Sequence, residues 1–159
     1  MQAGDDMSVE DPKTTLLKLI KDNISLTKDD GETAATCHVS QEGFNAEAFQ
    51  NYDTQVTIDL DPGRSKVRQL AIGASKVLYL DVYRVTGWAI DKTGITGKKM
   101  RWKLRRQIEI IIRSNCKAPG GNLDYADLLA PSESDDPKFK PPWWAITWFV
   151  ITHRFGGTT

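Results

Sequence analysis

Periodicity places this chain in the α/β (α+β) class, with a mixed or antiparallel sheet of four to five strands and two main helices packed on one face of it. Three observations carry that expectation. Apolar residues recur at helical spacing over 12–24 and again over 98–115; the spacing changes to alternation over 35–39, 56–60 and 75–91; and the closing run "PPWWAITWFVITHRF" (141–155) is apolar on both faces of an extended chain. The 159 residues match the length of one domain. A single domain is therefore expected over 11–155, with flexible ends at 1–10 and 156–159.

The first element is the amphipathic helix of "DPKTTLLKLIKDNI", with Asp11 as N-cap, Pro12 at the first helical position and Leu16, Leu19, Ile20 and Ile24 as its apolar stripe. Two strands follow. In one, Ala35, Cys37 and Val39 alternate with Thr36 and His38; in the other, Val56, Ile58 and Leu60 alternate with Thr57 and Asp59. Between them "QEGFNAEAFQNYD" is irregular and holds Phe44 and Phe49, which need cover. "DPGRSK" (61–66) reads as a turn, because Pro62 presets one dihedral and Gly63 permits the next.

The run "SKVLYLDVYRVTGWAID" (75–91) is a long strand, with Leu78, Leu80, Val82, Trp88 and Ile90 on one face. It would reach on the order of 50 Å at about 3.3 Å per residue, so it must bend or project, and Gly87 is the expected place for a bulge. The second helix, "KKMRWKLRRQIEIIIRSN", turns Met100, Leu104, Ile108 and Ile111 toward the sheet, and "KAPGGN" stops it. "LDYADLLAPSESDDPKFKPP" then reads as a short strand followed by a polar loop.

Lysine plus arginine and aspartate plus glutamate each number 21, so net charge sends the molecule to neither nucleic acid nor a membrane, and any such affinity must be local. The opening "MQAGDDMSVE" is acidic and no run of about 18 apolar residues exists, which suggests assembly in the cytoplasm and no membrane contact. Cys37 and Cys116 are too few for a disulfide framework and form no CxxC pair. His38 and His153 lie in alternating patterns without HxH or HExxH spacing, "GITGKK" lacks the spacing of a phosphate loop, and no GxSxG elbow exists. No catalytic residue, metal site or cofactor is expected.

Two features remain. In an extended chain Trp144, Ile146, Trp148 and Val150 face one way, and Trp143, Ala145, Thr147, Phe149 and Ile151 the other. The first set, more continuously apolar, is expected under the helices. The second set then meets a partner subunit, or else 41–55, with Phe44 and Phe49, folds over it. Trp102, Trp143, Phe149 and Ile151 are the candidate oligomer interface. The second feature is the start of the second helix, where Lys98, Lys99, Arg101, Lys103, Arg105 and Arg106 oppose the helix dipole. They either meet a polyanion or a neighbouring subunit, or pair with the acids of "ESDD".

The helix "DPKTTLLKLIKDNI", the strands "QVTIDL" and "VLYLDVYRVTGWAID", the basic-then-apolar helix and the closing "PPWWAITWFVITHRF" together resemble the tail terminator proteins of tailed viruses, with the related head-tail neck and tail completion proteins, in the versions found in archaeal viruses and proviruses. The resemblance covers roughly 10–155 and is one of element order, without a catalytic motif. It implies a structural virion protein and no enzyme: a homo-oligomer, a hexameric ring, that ends the tail tube and joins tail to head. The implied partners are the tail tube protein and head-tail connector proteins, with DNA passing through the lumen. The place implied is the tail or neck of the virion, assembled in the host cytoplasm.

A reading from another class is a small nucleic-acid-binding module that uses the basic helix over 98–113, whose affinity would fall steeply with salt. A small hydrolase or nuclease would need clustered carboxylates or a histidine partner that the pattern does not place.

Overall fold

A computed structural model describes residues 11–69, 77–136 and 143–156 of the chain. The expected flexible segment 1–10 and residues 157–159 lie outside the described residues, as do 137–142 of the expected polar loop. The elements run α1 (Pro12–Asn23), β1 (Leu26–Thr27), β2 (Ala34–Ala35), β3 (Cys37–Ser40), a 3-10 turn (Ala46–Gln50), β4 (Thr54–Leu60), β5 (Lys66–Gln69), β6 (Val77–Ile90), α2 (Gly97–Ser114), β7 (Tyr125–Asp136) and β8 (Trp143–Gly156). Gly156, expected in the flexible end, is the last residue of β8 and pairs with Val77.

The Asp11 carboxylate accepts from the Lys13 N–H and caps α1, which buries Leu16 and Ile20 completely. The alternating stretch 34–40 is broken at Thr36. Its N–H donates to the Asp53 carboxylate and its carbonyl accepts from the N–H groups of Asp53 and Thr54, so Ala35 falls in a separate two-stranded pair, β1 with β2.

The main sheet is mixed and has six strands rather than four or five. Its order is β3-β4-β6-β8-β7, with β5 also on β6; only β3 with β4 is parallel. The extra strand arises because the chain, after the 61–65 turn, returns to β6: β4 pairs with 83–88 of that strand and β5 with 77–80. The turn is tied to β6 at both sides, since Asp61 N–H donates to the Val82 carbonyl and Val82 N–H donates to the Ser65 hydroxyl.

Strand register sorts the residues onto two faces. One holds Val56 and Ile58 of β4, Tyr83, Val85, Gly87 and Ala89 of β6, and Trp144, Ile146, Trp148 and Val150 of β8. Against it pack α1 and α2, and the core is continuous from Leu16 and Ile20 through Met100, Leu104, Ile108 and Ile111 to Trp148. Leu60, expected to follow Val56 and Ile58 inward, is 39% exposed at the end of β4. The opposite face carries Leu78, Leu80, Val82, Trp88 and Ile90, as their alternation required.

Gly87 marks no bulge, because Val56, Gly87 and Ile146 pair in unbroken register. Its reason is helix packing: a Cβ there would stand 3.1 Å from Leu104 Cβ and Cδ1 and 3.3 Å from Ile146 Cγ2. The bulge lies in β7, between Leu128 and Pro131, where a proline that cannot donate to the ladder is tolerated. β7 is also longer than expected. The acids of "ESDD" lie in the strand itself, paired with 143–146 of β8, not in a loop.

Candidate functional site

The basic segment at the start of α2 is divided by the fold. Thr96 occupies the N-cap position without a side-chain cap bond, and the Gly97 N–H donates to the Asp91 carboxylate instead. Gly97 is a position where no Cβ fits, since it would overlap the six-membered ring of Trp144. This close approach seats the first turn of α2 on β8.

Three of the six cations are held within the chain. Lys103 Nζ donates to the carbonyls of Thr27 and Lys28, each at 2.8 Å, and so ties α2 to the β1 loop. Arg105 makes a 2.7 Å ion pair with Glu133, and Arg101 approaches the same carboxylate at 3.9 Å while donating to the Ser134 carbonyl at 3.3 Å. The pairing with "ESDD" thus holds for Arg101 and Arg105. Arg106 lies 3.6 Å from Glu109, with which Arg113 also pairs, but its side chain is 61% exposed. Lys98 and Lys99 are exposed.

Trp102 stands 60% exposed among them, with the Arg105 guanidinium 5.5 Å from its ring centre. Asp29, Lys98, Lys99, Trp102 and Lys103 line an open hollow of about 400 Å³. The Asp29 carboxyl is held below the usual carboxylate range by its hydrogen bonds with Thr96, with Lys99 and Lys103 adding to the effect. The hollow therefore joins two exposed lysines and an aromatic plane to one carboxylate.

The other candidate residues divide by face. Trp144 and Trp148 lie under the helices as expected, 8% and 4% exposed, and Trp148 Nε1 donates to the Arg105 carbonyl at 3.0 Å. On the opposite face Trp143 is half-buried against Phe44, 4.3 Å between ring centres, and Phe44 also packs at 4.4 Å on Trp88. The folding-over of 41–55 is thus realised at this end of the sheet. It is fixed by Gln55, whose amide accepts from the Asn45 N–H and donates to the Asn45 carbonyl. Phe149 is half-buried beneath the Arg64 guanidinium at 4.0 Å, and Ile151 is half-buried.

Cover thins at the other end. There β5, the first residues of β6 and the last of β8 form a three-stranded extension, on which Val67 is 64% and Phe155 57% exposed. Beside it Gly121, Asn122, Leu123, Asp124, Arg154 and Phe155 line a hollow of about 440 Å³. The Arg154 guanidinium lies over the Tyr79 ring at 4.2 Å.

His38 packs on Tyr52 and His153 on Tyr125, with ring centres 4.9 and 5.0 Å apart. Among the described residues no group of three or more His, Cys, Asp or Glu side chains could hold a metal. The thiol of Cys37 is pushed up to about 11 by burial, which leaves it a poor nucleophile. No helix among the described residues is long and apolar enough to cross a membrane.

Glu133, which anchors two of the cations, was hidden in a stretch that reads as loop. The only signal for it was its opposite charge. Neither a protein-family model nor a curated protein sequence matches the chain.

Proposed function

We infer that the chain is a structural protein that assembles into a ring, ends the tail tube of a tailed virion and joins the tail to the head. The observation that supports this best is the β5-β6-β8 extension. Large apolar side chains at this end, Val67 on one face and Phe155 on the other, are more than half exposed. A lone chain gains nothing from that surface; a neighbouring copy would bury it. Trp143 is already occupied by Phe44, so on this reading subunit contacts centre on the extension, with Phe149 and Ile151 at its margin.

In this reading Lys98, Lys99, Arg106 and Trp102 are the groups left for DNA in the lumen or for the adjoining ring, because Arg101, Lys103 and Arg105 serve the fold. That division also weakens the rival nucleic-acid module, whose basic helix gives Arg101, Lys103 and Arg105 to contacts within the chain. The ring reading includes no reaction and no cofactor.

Electron microscopy tests it. The purified chain, added to a polymerising tail tube protein, should form rings with a central opening at the tube ends and stop their growth. Tubes of unchanged length with bare ends would refute the reading.

A further inference from the structure

The two outer strands of the sheet carry residues of opposite charge in their sequences. On one side β7 pairs only with β8, and on the other, next to β3 and β4, β5 pairs only with β6, among the described residues. β5 reads KVRQ, with Lys66 and Arg68 and no acid. β7 reads YADLLAPSESDD, with Asp127, Glu133, Asp135 and Asp136 and no lysine or arginine.

Charges on an edge strand guard against stray pairing, and for that purpose either sign serves. Here the sign differs from edge to edge. Like edges meeting across a two-fold axis would place like charges opposite one another, which is destabilising, whereas β5 against β7 places opposite charges across the new ladder.

Strand direction agrees with the second arrangement. β5 runs antiparallel to β6, while β6 and β7 both run antiparallel to β8 and so run the same way. A second copy set beside the first in the same orientation brings its β5 antiparallel to the first copy's β7, with the helix-covered faces on the same side. β5 stands level with 153–156 of β8, and β7 begins opposite His153, so neighbouring copies are offset along the strands. Closed sheets need a stagger of that kind.

Resting on the ring reading, we propose that β5 of one copy pairs antiparallel with β7 of the next, so that the sheet continues from subunit to subunit through a head-to-tail contact. Such a contact leaves one edge of each kind free at every step, and it ends only by closing on itself.

The test is charge exchange in the full chain. Lys66→Glu with Arg68→Glu makes the β5 edge acidic, and Asp135→Lys with Asp136→Lys makes the end of β7 basic. Asp127 and Glu133 are left alone, because Tyr125 and Arg105 already hold them. Each double variant should need at least about tenfold more protein for half-assembly than the wild type, a shift of about one decade in the affinity of each contact. Mixing the two variants, or combining all four changes in one chain, should restore assembly; far-UV circular dichroism verifies that each is folded. If the wild type forms rings and neither variant weakens them, the edge contact is wrong while the ring reading stands. If both variants weaken assembly and neither the mixture nor the fourfold variant recovers it, the edges do not meet and the proposal falls. A wild type that stays monomeric at every concentration overturns the proposal and the ring reading together.

Discussion

The indole nitrogen of Trp148, in the middle of β8, donates to the backbone carbonyl of Arg105, in the middle of α2, at 3.0 Å. This bond locks the second helix to the sheet through a ring that is almost wholly buried. Trp148→Ala should therefore lower stability by about 3–5 kcal/mol, as large aromatic truncations in cores do. The adjacent Phe149→Ala, on the other face under Arg64, should cost on the order of 1 kcal/mol. Urea denaturation of the two variants measures the difference, and equal losses would mean that the two faces are equally packed.

Gly97→Ala tests how closely α2 approaches the sheet. The added methyl must displace the Trp144 ring or lift the first helical turn, and overpacking of this kind costs about 1–3 kcal/mol. A thermal melt unchanged from wild type would show that the turn can retreat freely.

The cations of α2 should separate by role. Lys103→Met removes the ammonium that the Thr27 and Lys28 carbonyls share, leaving Lys28 only its bond from the Gly31 N–H, and should cost about 1–3 kcal/mol of stability. Lys98→Gln with Lys99→Gln should leave stability within about 0.5 kcal/mol, as for surface substitutions, yet weaken the DNA binding that the ring proposal assigns to these lysines. The salt dependence of that binding should also become shallower, by about one unit of slope for each phosphate that is no longer neutralised. DNA titrations at several salt concentrations, paired with melts, read both effects.

Acid sensitivity should appear in the β1–β2 turn. Asp30 accepts hydrogen bonds from the Thr33 hydroxyl and from the N–H groups of Glu32 and Thr33, and its pKa falls to about 2. A carboxyl whose pKa is lower in the folded state contributes stability above its unfolded value, about 3.9, and loses that contribution as pH falls toward 2. Asp30→Ala should therefore be less stable than wild type near neutral pH, with the gap closing between about pH 4 and pH 2. A gap that stays constant over that range would assign the loss to turn geometry, not to the charge.

Elements defined by strong periodicity were legible in the sequence: α1 from its Asp11-Pro12 start, α2 from its stripe, and the inward set Trp144, Ile146, Trp148 and Val150 from alternation. What periodicity could not carry was context. Gly87 looks the same whether it makes a bulge or admits Leu104. The strand 125–136 lost its pattern at the Pro131 bulge and in the acids that follow. Phe44 and Glu133 sit in stretches without a repeat, so the cover over the Trp143 face and the pairing of the helix cations with "ESDD" stood in the sequence only as alternatives, and the fold picks out Phe44 on Trp143 and Glu133 on Arg105.

Light scattering on the purified chain, over a wide range of concentrations, tests the assembly reading most directly. A single closed species at a fixed multiple of the protomer mass, a hexamer if the resemblance holds, is the expected result. Its mass should not grow once it has formed. A protomer mass at every concentration, or a mass that rises without limit, would contradict the ring.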